Sequence, residues 1–137
     1  MGMYTKLSVN IRFIENLPEE VIAALDIMSG NSNESSCVLP VHGLFKTFRW
    51  DFMLCCSSYY HIPFSLTKFH KDEISQRYYL SSSCDFKNYD GEIDLFFDFI
   101  APYVEDGFLG YSQYEGAEHP TLHYVIDGKH IERCVDV

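Results

Sequence analysis

Hydrophobic and polar residues alternate strictly from Lys6 to Phe13, with Leu7, Val9, Ile11 and Phe13 on one side and Lys6, Ser8, Asn10 and Arg12 on the other. A period of two predicts a strand with one buried face. Past Asn16 the period lengthens. Pro18 suits a first helical turn, Glu19 and Glu20 lie near its positive end, and Val21, Ile22, Leu25 and Met28 form an apolar stripe that Gly30 closes.

Residues 30–43 lose this periodicity among small polar side chains, Pro40 and Gly43, which predicts a long flexible loop. Alternation returns where Phe48, Trp50, Phe52, Leu54 and Cys56 oppose Arg49, Asp51, Met53, Cys55 and Ser57, and it predicts a second, central strand. Tyr59 to Asp72 reads as a connection around Pro63. Arg77 to Phe86, rich in Tyr and Ser, is expected to pair as a third strand. A helix follows from about Asp90 to Tyr103, capped by Asn88 or Asp90 and burying Ile93, Phe96, Phe97 and Ile100, with Pro102 disturbing its last turn. Phe108–Tyr114 and Thr121–Ile126 read as a hairpin, and Asp127-Gly128 turns the chain into Lys129–Cys134. The order β-α-β-β-α-β-β, with a short last strand, predicts an α+β fold: an antiparallel or mixed sheet of about five strands with two helices packed on one face.

A length of 137 residues fits a single domain, 1–137, with one core. The formal charge of −10 changes the picture more. It argues against a surface that neutralises phosphates, so neither direct nucleic-acid binding nor an anionic membrane is expected, and it either keeps the chain soluble, the commoner use of such charge, or favours a protein partner with a basic surface. Five cysteines, one adjacent pair among them, do not read as a disulfide framework and suit reduced thiols in a cytoplasm. The alternating start is not that of a signal peptide, and no apolar run reaches spanning length.

From Asp85 to Glu118 nine carboxylates and nine aromatic rings are accompanied by one cation, Lys87. Helical spacing puts Asp90, Asp94, Asp98 and Glu105 close to one face, opposite the aromatic stripe. These acids, with Tyr111, Tyr114 and Glu115 of the hairpin, are the expected partner-binding residues. Glu115, Glu118, His119 and His123 form the second candidate, because carboxylates and imidazoles close together can hold a divalent metal or act as acid and base. Cys55-Cys56 reads as core packing, since adjacent strand residues point to opposite faces. Tyr59, Tyr60, Tyr78, Tyr79, Tyr111, Tyr114 and Tyr124 have the rings of a base-stacking platform but lack interleaved cations, so interface use is expected instead. No cofactor motif and no catalytic motif occurs.

Lys87-Asn88-Tyr89-Asp90-Gly91-Glu92-Ile93 with its continuation to Pro102-Tyr103, Phe108-Leu109-Gly110-Tyr111-Ser112-Gln113-Tyr114-Glu115, and Pro120-Thr121-Leu122 resemble runs in a group of short bacterial and prophage-encoded proteins of no assigned activity. Arg49-Trp50 and Ser58-Tyr59-Tyr60 add to the resemblance, which spans roughly the last two thirds of the chain. It implies a mobile-element setting. The resulting expectation is a non-catalytic protein-binding module, an inhibitor of a host defence protein that presents carboxylates to a basic channel. A metal-dependent or acid–base enzyme and a homo-oligomeric structural protein are the alternatives.

Overall fold

β1 (Thr5–Arg12) buries Leu7, Val9 and Ile11 and stands inside the sheet, paired on one side with β3 (Arg77–Phe86) and on the other with β4 (Gly107–Tyr114). The computed structural model describes residues 3–32, 38–58 and 65–134. Among the described residues six strands lie in the order β2-β3-β1-β4-β5-β6 with every neighbouring pair antiparallel; β2 is Leu66–Asp72, β5 Thr121–Ile126 and β6 Lys129–Cys134. With α1 (Glu19–Met28) and α2 (Glu92–Ile100), the first four strands trace the β-α-β-β-α-β connectivity of a split βαβ unit, extended at the β4 edge by the β5–β6 hairpin. The α+β class is therefore as expected, with six strands where about five were anticipated.

α2 begins at Glu92 because Asn88 supplies the cap: its Oδ1 accepts from the Ile93 amide at 3.0 Å, while Gly91 takes a left-handed conformation. Asp90 does not cap. The helix ends at Ile100, and Pro102 falls in a 3₁₀ turn over Ala101–Tyr103. Ile93, Phe96, Phe97, Phe99 and Ile100 are buried in the core shared with β1, β3 and α1. Phe45 meets Phe99 edge-on at 5.0 Å and Trp50 at 4.8 Å, so the segment after Gly43 lies against α2.

Two expectations fail here. Phe48–Cys56 is a succession of turns ending in a 3₁₀ helix, Met53–Cys55, rather than a central strand. Up to Cys55 its backbone bonds are local, from Phe52 and Met53 to the Arg49 carbonyl and from Cys55 to that of Phe52, and only at its end does the Cys56 carbonyl accept from the Asp85 amide of β3. Adjacent Met53 and Leu54 are both buried while Phe48 is 75% exposed, a pattern incompatible with alternation. Cys55 and Cys56 therefore sit at the end of this turn, Cys55 exposed, and not on opposite faces of a strand. The opposite error concerns Leu66–Asp72, which is a strand where a connection was expected. As an edge strand it buries Phe69 and exposes Lys68 and Lys71, charges of the kind that guard a free edge. Residues 33–37 of the expected loop, and Tyr59 and Tyr60, lie outside the described residues.

Gly110 lets β4 cross β1. At φ +154° a β-carbon there would stand 2.0 Å from the Ser8 carbonyl oxygen, so no other residue fits the approach. Among the described residues no helix is long and apolar enough to cross a membrane.

Candidate metal centre

The β5–β6 hairpin closes through Asp127 and Gly128, both with positive φ (53° and 74°), the geometry of a two-residue type I′ turn. That turn fixes the register: Ile126 faces Lys129, Val125 faces His130 and His123 faces Glu132. His123 and His130 are thus diagonal neighbours on one face, within reach of each other. Phe97 of α2 lies flat against both, with ring centroids 4.3 Å from His123 and 4.8 Å from His130.

A polar chain runs through this pair. His123 Nδ1 and His130 Nε2 are 2.8 Å apart, and His123 Nε2 is 2.7 Å from Ser112 Oγ on β4. His123 is 1% exposed. Burial, helped by the neighbouring His130 and opposed by Asp94, pushes its pKa down to about 4, so the ring is neutral at pH 7. His130 is also lowered, by burial, against the pull of Asp94 and Asp98. Glu132 hydrogen-bonds Asp94, one turn before Phe97 and Asp98; that bond, then burial, then the Asp94 charge raise its pKa to about 7. The Glu132 and Asp94 carboxyls beside two imidazoles whose charged forms burial disfavours make a site rich in lone pairs. One ligand atom from each of His123, His130 and Glu132 comes within 4.8 Å of the others. An open depression of ≈ 260 Å³ on one flank is lined by Asp94, Ser112, His119, His123 and Glu132, and another of ≈ 510 Å³ by Asp94, Asp98, Lys129 and His130.

The acids foreseen as a docking stripe have partners within the chain. Asp98 meets His42 Nε2 at 2.8 Å, Asp90 lies 3.7 Å from Arg49, and Glu105 pairs with Arg77 and, at 3.8 Å, with Arg12. Arg49 also stands 3.5 Å from the fully buried Glu92. Tyr111 sits beneath Lys6, Tyr114 is 45% exposed, and the Glu115 amide donates to the Tyr4 carbonyl. Of the foreseen metal or acid–base cluster only His123 belongs to the converging trio. Glu118 and His119, 3.9 Å apart, are exposed in the turn between β4 and β5, although His119 lines the same depression as His123. His130, Glu132 and Ser112 were missed. The signal for two of them was present, because a two-residue turn at Asp127-Gly128 sets His123 opposite Glu132.

Comparison with known proteins adds no assignment: no family model matches the chain, and neither a curated protein nor a solved structure is similar to it.

Proposed function

We propose that this chain is a metal-binding α+β domain in which His123, His130 and Glu132, with Asp94 beside them, hold one divalent transition-metal ion. The observation that carries this reading is the convergence of two imidazole nitrogens and a carboxylate beneath Phe97. Imidazole with carboxylate suits zinc and its neighbours in the first transition row. Ligand nitrogens around tetrahedral zinc, at Zn–N of about 2.0–2.1 Å, stand about 3.3 Å apart, so the two rings need separate by only about 0.5 Å. Of the two proton arrangements open to the chain, one leaves His123 Nδ1 bare while Nε2–H donates to Ser112 Oγ. A metal selects that arrangement, and Ser112 then orients the ligand from behind. The metal also takes the place of the proton that Glu132 holds up to about pH 7.

Competition for Zn²⁺ against a chromophoric chelator tests this. One equivalent should bind, Ser112→Ala should weaken binding roughly 10- to 100-fold, and His123→Gln with His130→Gln should abolish it. Undiminished affinity in the double variant would defeat the proposal. A second reading is favoured by the exposure of carboxylates on and just before α2, 73% for Asp98 and 51% for Asp90. Here a basic protein surface docks on α2, in keeping with the mobile-element setting, and both helices cover one sheet face. Asp94→Lys with Asp98→Lys should then lower partner affinity at physiological salt while leaving the fold intact; full retention of affinity would exclude it.

A further inference from the structure

The strand register divides the charged residues very unevenly. Residues paired with Lys6, Ser8, Asn10 and Arg12 face away from Leu7, Val9 and Ile11, and this outer face collects Lys6, Arg12, Lys68, Arg77, Lys129 and Arg133. That is six of the ten Lys and Arg residues, against Asp72 and Asp85 as strand acids on the same face, two of twenty. Arg12 and Arg77 are engaged by Glu105.

Tyr79, Tyr111 and Tyr124 stand among these cations. Lys6 Nζ lies 5.3 Å from the Tyr111 ring and the Arg133 guanidinium 5.7 Å from that of Tyr124. His70 stacks on Tyr79 at 5.8 Å, and Phe108, 54% exposed, leans on Tyr124 at 5.3 Å. The interleaving of rings and cations that the linear sequence lacks is thus made across strands. Single-stranded nucleic acid is held by this combination, bases on aromatic faces and phosphates on Lys and Arg.

We propose that the outer sheet face binds single-stranded nucleic acid, with Tyr79, Tyr111 and Tyr124 stacking bases and Lys6, Lys68, Lys129 and Arg133 neutralising phosphates. The net charge of −10 does not forbid this. The α2 carboxylates lie beyond the sheet, and a Debye length of about 8 Å at physiological ionic strength screens charges that far apart. The outer face meets its ligand with its own local excess of cations.

Anisotropy of a fluorescein-labelled oligothymidylate of about 12 nucleotides tests the proposal on the full chain. Four phosphate contacts give a log–log salt slope of about −3 for a single strand, so affinity should fall roughly 50-fold between about 0.05 and 0.2 M salt. Tyr111→Ala or Tyr124→Ala should weaken binding roughly tenfold or more, with Tyr→Phe restoring it. Lys6→Ser with Arg133→Ser should flatten the slope by about 1.4. No binding at the lower salt, binding that the Tyr→Ala and Lys/Arg→Ser variants leave unchanged, or a sheet face sealed in a stable oligomer that the oligonucleotide does not open would each overturn it.

Discussion

Acidification sets the two kinds of group in the β5–β6 centre against each other. An unfolded imidazole takes its proton near 6.5, whereas buried His123 waits until about 4, so the unfolded state binds more protons in between and stability falls as the pH drops through that window. At about 1.36 kcal/mol per pKa unit the full effect is about 3.4 kcal/mol. Glu132 works the other way: its carboxyl is protonated near 7 when folded but near 4.5 when unfolded, so the folded state gains as the pH falls from 7. Because Glu132 is exposed to solvent, its contribution is screened to about 1 kcal/mol. The parent protein should therefore lose about 2 kcal/mol through these groups between pH 6.5 and 4, a shift of about 1 M in the urea midpoint. Glu132→Gln should lose about 3 kcal/mol, the His123 effect no longer opposed. The His123→Gln, His130→Gln double variant should reverse the sign and gain about 1 kcal/mol. Urea titrations followed by tryptophan fluorescence at pH 6.5 and 4, with variant and parent compared pairwise, cancel the remaining carboxylates. A double variant as acid-sensitive as the parent would refute this account of the pair.

Gly110→Ala should cost more than about 2 kcal/mol, because its β-carbon would meet the Ser8 carbonyl at 2.0 Å and the Val9 α-carbon at 2.8 Å, both backbone atoms; thermal denaturation reads this directly. Burial raises the Cys84 thiol to about 12, so iodoacetamide at pH 8 should leave Cys84 intact in the folded state while alkylating exposed Cys134, as peptide mass mapping would show.

Elements whose hydrophobic period agreed with their final burial were legible. β1, α1, β3 and the β4–β5–β6 run follow from alternation, a helical stripe and the Asp127-Gly128 turn. Phe48–Cys56 misled because its aromatics alternate by chance while Phe48 and Phe52 stay exposed and Arg49 is drawn toward Glu92 of a distant helix and Asp90 just before it. Leu66–Asp72 was hidden because an edge strand gains more from exposed charge than from apolar alternation. The site was half visible. His123 and Asp94 stood out, but His130 and Glu132 acquire meaning only once the hairpin folds them onto α2, and the cations of the outer face reach its tyrosines from other strands.

Anomalous diffraction at the zinc edge, from crystals grown with one equivalent of Zn²⁺, tests the metal centre most directly. One peak should lie about 2.0–2.1 Å from His123 Nδ1 and His130 Nε2 and about 2.0–2.2 Å from a Glu132 oxygen. No peak between the two imidazoles, or zinc held only by surface carboxylates elsewhere, would contradict it.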